Sequence, residues 1–323
     1  MAGNNARNHH WVPQCYLKGF ARSRSKNAQL YVADFDTKRQ FMTVPRNVAA
    51  ARDFNRIDID GVDPNHVESG VAVFEGSLAK ALERICRDRE VLDAEDLNLV
   101  WNLIALLAVR SPGMRENIRQ AHEQVMKRMM GLTLATKERY EHSFAEAARA
   151  GVLNAHDILP YERMRDFFDR DQYSIAVSTT HHVQQELKLA HAVLPLLGRR
   201  NWLLVRASAG TGGFVTSDHP VVLQWTDPPE QAFGSPGFGL SNTEVLFPLS
   251  HDLALIGNFD DADSVIDANE RQVAIFNAVI IGHRGRQIYA RDDRFRYMMR
   301  DGVLRRGADV LRDVAHLDLG TGT

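Results

Sequence analysis

Polar and apolar positions alternate near the start of the chain. Residues 29–34 (with Leu30 and Val32), 41–44 and 53–60 (with Phe54, Ile57 and Ile59) read as strands. Asp36-Thr37-Lys38 supplies a hairpin turn between the first two, and Gly61 and Pro64 stop the third. A short helix over 13–20 has Pro13 in its first turn, and the polar residues 1–8 read as a frayed tail. The spacing then changes from two to three and four. Val67, Val71, Phe74, Leu78, Leu82 and Ile85 predict a helix over 65–87. Asp93 is placed to cap a second helix through Val109, which Ser111-Pro112-Gly113 breaks. Further helices are predicted to Met130, over 137–150 with Gly151 as terminator, over 161–169, and over 172–197 with a bend near Pro195. Strand patterns return at 202–206, 213–216, 221–225, 244–247, 253–257 and 287–290. Residues 262–280 and 305–315 read as helices. Ser208-Ala209-Gly210-Thr211-Gly212-Gly213 reads as a hairpin turn, and 226–242, rich in Pro and Gly, as a long loop.

The fold class that follows is α+β. Strand-rich N-terminal (9–62) and C-terminal (199–323) segments are expected to share a sheet, with an all-helical middle over 63–198. Residues 9–323 are expected to form one domain.

Composition changes this picture little. Lys+Arg total 39 and Asp+Glu 41, so the net charge of -2 argues against a strongly basic nucleic-acid binder. Two cysteines, Cys15 and Cys86, lack CxxC spacing, which fits a reducing compartment and excludes a cysteine-rich zinc site. The longest apolar stretch, 97–109, is interrupted by Asn98 and Asn102 and is shorter than the roughly 20 residues a membrane span needs. A cytoplasmic protein without a membrane partner is the expectation.

Chemistry is concentrated in a few places. His9 and His10 precede the first helix, where an imidazole could serve as metal ligand or base and the helix N-terminus favours an anion. The competing reading has one histidine capping the helix and the other exposed. Thr216-Ser217-Asp218-His219-Pro220 ends a strand with a carboxylate and an imidazole, a pair suited to acid–base or metal work or to an Asx turn. Glu68 and Glu75 lie seven residues apart, on one helix face; Glu75, among Val71, Phe74 and Leu78, either points partly inward and needs a partner or metal or, as the preferred reading, stands at the edge of a solvated face. Arg110 closes an apolar helix, where it could clamp an anion or neutralise the helix end. His182 and Glu186 have a weak i,i+4 metal spacing, and Asn277 reads as a buried amide. The phosphate loop GxxxxGK[ST] and the nucleophile elbow GxSxG are absent from the sequence.

The segment His9-His10-Trp11-Val12-Pro13-Gln14-Cys15-Tyr16-Leu17-Lys18-Gly19-Phe20 resembles the HHxVPQxYLxxF opening of a bacterial family described as domain of unknown function 4238. Further blocks follow in order. They are Pro45 to Ala50 with Asp53-Phe54-Asn55, the glutamate helix at Glu75, Arg110-Ser111-Pro112, the TSDxP block at Thr216, Phe247-Pro248-Leu249-Ser250, and Asn277. Cys15 departs from the pattern, standing where the family often has an aromatic residue. The resemblance implies one family-wide domain and a convergence of His9, His10, Gln14, Arg110 and Asp218.

Two functions are expected from these residues. The first is a metal-dependent phosphodiesterase or nuclease acting on nucleic acid or a phosphorylated small molecule. His10 and Asp218 would hold a divalent metal, and His9 or His219 would act as base. Arg110 would meet the phosphoryl oxygens, with Gln14, Glu75 and Ser217 binding substrate. The second is a non-enzymatic ligand- or partner-binding module in which the same polar residues form a structural network.

Overall fold

The computed structural model describes residues 7–25, 27–227 and 235–313. The first third contains β1 (Asn8–His10), α1 (Gln14–Leu17), β2 (Leu30–Asp34), β3 (Arg39–Thr43) and β4 (Ala50–Arg52). The middle is helical: α2 (His66–Asp88), α3 (Ala94–Val109), α4 (Pro112–Thr133), α5 (Lys137–Arg149), α6 (Tyr161–Asp169) and α7 (Thr179–Leu197). The last third has β5 (Asn201–Ala207), β6 (Thr216–Ser217), β7 (Val222–Trp225), β8 (Thr243–Ser250), β9 (Leu253–Asn258) and β10 (Ser264–Ala268). It ends with α8 (Glu270–Gly282), β11 (Gln287–Ala290), β12 (Arg296–Met298), β13 (Leu304–Arg306) and α9 (Val310–Asp313). The fold is α+β, with strands toward both ends and helices between.

The chain divides into two compact units, Met1–Ser111 with Thr179–Thr323, and Pro112–Ser178. In the larger unit, β3-β2-β11-β6 form one antiparallel sheet, so the first hairpin and the late strands share a sheet as the pattern predicts. A second sheet has the order β10-β5-β9-β8-β7, with β10 parallel to β5 and the rest antiparallel. Alternation along β8 explains why this sheet is buried on both faces. Val245, Phe247 and Leu249 point into a core shared with α2, α3 and α7, where Leu78, Leu103 and Ile104 lie. Leu246 points the other way, into a core with Phe214, Val273, Phe276 and Ile281 under α8. Each such buried side chain contributes roughly 1.5–3 kcal/mol relative to exposure.

Asp93 caps α3 as predicted, its carboxylate accepting the Asp96 N–H at 2.8 Å. The smaller unit, α4 to α6, buries little: none of the residues of α4 or α6 is buried. It is tied by Leu134, whose carbonyl accepts from Tyr161 at 3.1 Å and Arg165 at 3.0 Å, and by Tyr140, whose hydroxyl donates to the Leu159 carbonyl at 2.7 Å.

Several local expectations are corrected. Residues 53–60 are not a strand. Ala49 and Asp53 have left-handed backbone (φ 50° and 57°), so pairing is confined to β4, which lies against β1. Residues 262–280 split into β10 and α8, because the Asn269 capping box starts a helix there. Residues 172–178 precede α7 without helix, and Pro195 stays inside its last turn. Ser208 to Gly213 is not a hairpin turn, since it carries the chain from β5 in one sheet to β6 in the other. The helix expected over 305–315 is β13, a 3-10 turn and the short α9, with 314–315 outside the described residues. The tail 1–8 is described from Arg7 onward, where Arg7 pairs with Asp53 and Asn8 belongs to β1. Of the loop 226–242, residues 228–234 lie outside the described residues. Among the described residues no single helix is long and apolar enough to cross a membrane.

Candidate functional site: a polar cluster around the N-terminal segment

β1 pairs with β4 and the chain then turns at Pro13 into α1, which packs on α2. This brings His9, His10 and Gln14 opposite the face of α2 that carries Glu68 and Glu75. His9 is fully buried. Its Nδ1 accepts the backbone N–H of Asn55 at 2.9 Å, which assigns the ring proton to Nε2. Asn55 in turn donates its side-chain amide to Glu68 Oε2 at 2.6 Å, and that oxygen lies 3.9 Å from His9 Nδ1. His10 is half-buried. Its Nε2 donates to the Arg46 carbonyl at 3.2 Å, and its Nδ1 accepts from the Gln14 amide at 3.5 Å. Burial, reinforced by the Arg110 charge, lowers its proton affinity below the usual histidine value.

Arg110 ends α3 almost completely buried, donates from Nη2 to the His10 carbonyl, and lies 6.0 Å from the Phe54 ring centroid. Glu75 is half-buried on α2. Burial pushes its carboxyl up to about 7; the Arg110 guanidinium opposes that shift and the Glu68 charge adds to it. The Cys15 thiol is pushed up to about 12 by burial and by the Glu75 charge, which leaves it a poor nucleophile at neutral pH. His10, Gln14, Glu75 and Arg110 are thus brought together in one half-buried cluster.

The TSDHP turn is placed differently. Asp218 is buried, and its carboxylate accepts the backbone N–H groups of Gly285 at 2.9 Å and Arg286 at 2.7 Å, holding the turn between α8 and β11. Burial pushes this carboxyl up against the pull of the backbone donors at Arg286, Gln287 and Gly285. Ser217 is fully buried and accepts the His219 N–H at 3.1 Å, as an ST turn would. The His219 ring is lowered in proton affinity by burial and by His283. The link from this turn to the N-terminal segment is Trp11, whose indole N–H donates to the Asp218 carbonyl at 3.1 Å. A second link is Tyr16, whose hydroxyl lies 2.7 Å from Thr216 Oγ1 and donates to the Pro248 carbonyl at 2.6 Å.

The two expected metal ligands therefore serve different partners: the His10 ring faces the Arg46 carbonyl and Gln14, the Asp218 oxygens face backbone donors. Among the described residues no group of three or more His, Cys, Asp or Glu side chains is arranged to hold a metal ion. His182 and Glu186 are both buried on α7. Asn277 is fully buried, accepting from the Val215 N–H and donating to the Gly213 and Arg296 carbonyls at 2.8–2.9 Å. Sequence reasoning passed over Asn55 and Tyr16, although both stand inside the blocks it singled out. It also passed over Arg200, a buried guanidinium that gathers the carbonyls of Phe238, Thr243 and Gly257.

A family model described as "Protein of unknown function (DUF4238)" matches residues 8–294. No curated protein and no solved structure matches the chain. The matched span begins at β1 and runs past β11, taking in the N-terminal cluster, the TSDHP turn and both sheets. The chain belongs to the DUF4238 family.

Proposed function

We propose that the chain is a hydrolase of phosphodiester bonds in which Glu75 is the general base and Arg110 the cation that meets the phosphoryl oxygens. The observation that supports this reading is Glu75 itself. It is a half-buried carboxyl beside a guanidinium, with a proton affinity of about 7. A base poised near ambient pH combines a usable ionised fraction with useful strength. Glu75 would take the proton of an attacking water, Arg110 would stabilise the charge on phosphorus-bound oxygen, and Gln14 and His10 would orient the substrate. The near-zero net charge of the chain and the half-buried cluster favour a phosphorylated small molecule over a long nucleic acid.

The test is hydrolysis of bis(p-nitrophenyl) phosphate, with and without manganese or magnesium, which also examines the divalent metal expected at His10 and Asp218. Activity that rises with pH around 7, and that falls about 100-fold or more in Glu75→Gln, is the expected outcome. Equal rates in the variant and the parent would sink the assignment.

The second reading, a binding module with a structural polar network, draws on the backbone partners of His9 and Asp218. Under it, Glu75→Gln changes no turnover, while His9→Ala and Asp218→Ala act through stability alone.

A further inference from the structure

The loop from Ser208 to Gly213 forms one wall of a cleft of about 810 Å³ in the larger unit. The corner at His251 and Asp252 between β8 and β9 forms another, and the turn after β11 with the β12–β13 ribbon completes it. None of the Glu75 cluster lines it. We propose that this cleft is a binding site for a small molecule bearing a phosphate monoester.

Charge is the first argument. Arg89, Arg291, Arg294, Arg296 and Arg306 line the cleft against Asp252, Asp292 and Asp293; with Glu270, which meets Arg296 from outside the lining, one positive charge is in excess within a chain whose net charge is negative. Three of the guanidinium groups are matched to acids: Arg89 to Asp252, Arg294 to Asp292, and Arg296 to Glu270 at 3.2 Å. The other two are not. Arg291 Nη1 lies 2.8 Å from His251 Nε2, and among the described residues Arg306 meets no acid. A phosphate monoester carries between one and a half and two negative charges near neutral pH and would be met by these two guanidinium groups.

Placement is the second. Arg296 and Arg306 are direct cross-strand partners in the β12–β13 ribbon, so both side chains leave the same face. Like charges directly opposite one another oppose pairing of the strands; Glu270 offsets Arg296, and an anion beside Arg306 would offset what remains.

The third argument is the loop. Gly210, Gly212 and Gly213 have left-handed backbone (φ 86°, 79° and 81°). Ala209, Gly210 and Gly212 are exposed, and among the described residues their N–H groups donate to no protein acceptor. Left-handed turns of this kind turn N–H groups toward an anion. A Cβ at Gly212 would collide with the Arg294 carbonyl, so the loop lies directly on the arginine-bearing turn. The wall is fixed from behind, by Asn277 on Gly213 and Val215 and by the Phe214 N–H on the His251 carbonyl at 2.7 Å. A site fixed in advance loses little to ordering on binding. The volume suits a ligand of nucleotide size.

The experiment is a calorimetric titration with AMP and with inorganic phosphate at low ionic strength, with adenosine as the uncharged control. Saturable binding of both phosphates, none of adenosine, and a loss of about tenfold or more in Arg306→Glu are the expected results. Arg306→Gln, which removes the charge without reversing it, is expected to fall between, and thermal melting of each variant verifies the fold. Absence of saturable phosphate binding by the parent chain overturns the proposal, as does equal affinity in folded Arg306→Glu. Binding of an oligothymidylate through Arg306 with no response to either phosphate also overturns it, in favour of a nucleic-acid surface.

Discussion

Glu75 holds its proton more tightly in the folded chain than an exposed glutamate does, and the sign of the consequence is fixed. Its contribution to stability is fully present below the ordinary glutamate value of 4.5 and is lost as pH rises through about 7. Glu75→Gln mimics the protonated form, so the variant should gain on the parent as pH rises from 5 to 8. Urea unfolding at the two pH values measures this; a stability difference that does not change with pH would contradict the environment assigned to Glu75. Asp218 behaves otherwise. Removing its carboxylate in Asp218→Ala strands the Gly285 and Arg286 N–H groups, at about 1–3 kcal/mol for each donor left unsatisfied. Unchanged urea stability in that variant would show that the turn does not depend on it. The chemistry of these residues was legible in the sequence, but their partners were not. His9 and Asp218 look like ligands by type, yet their acceptor atoms face backbone N–H groups 46 and 67 residues away. No local pattern announces a backbone donor at that distance. For Glu75 the seven-residue spacing put it on one face with Glu68, but the preferred reading was the edge of a solvated face, and that this face meets the N-terminal segment was not legible.

Among the elements, α8 shows most clearly what local signals can and cannot do. Asn269 starts it with a capping box, accepting the Gln272 N–H at 3.0 Å while Gln272 Oε1 accepts the Asn269 N–H at 2.9 Å. Asn269→Ala should therefore cost about 1 kcal/mol, read as a shift of the urea midpoint without change in slope. A helix expected over 262–280 overran this cap, because Val265 and Ile266 fit a helical spacing as well as a strand until β5 is known to lie beside them. The expected strand at 53–60 failed for a related reason. Alternating apolar residues were present, but the left-handed turns at Ala49 and Asp53 end the pairing. Helices α2, α3, α5 and α6 were legible to within about two residues, their caps and apolar stripes agreeing.

At the scale of the whole molecule, the two compact units differ in how much they bury. Among the described residues, the Pro112–Ser178 unit buries the apolar Leu134 and Tyr140, against two extended cores in the other. Its amides should exchange with solvent sooner than those of β8, β9 and α3, by hydrogen-exchange mass spectrometry. Equal protection in both units would contradict this. The pattern of strands at both ends and helices between was enough to foresee the shared sheet, in which β2 lies between β3 and β11. Four strands of the second sheet, β5, β7, β8 and β9, were legible, but not their grouping into a sheet of their own, because alternation within a strand does not say which strand lies beside it. The β12–β13 ribbon was missed because strands of three residues carry too little periodicity. That shared sheet sets a condition on biosynthesis. Strand β2 pairs with β3 as soon as the first hairpin is made, but its other edge waits for β11, Asp34 opposite Gln287. At roughly 5–20 residues per second a ribosome needs on the order of 10–50 s to supply that partner. Throughout that interval the nascent chain carries an open apolar strand edge, the feature that invites pairing with a neighbouring chain. A construction in which the earliest strand is completed by one of the last places this protein among those whose yield depends on what shields them during synthesis.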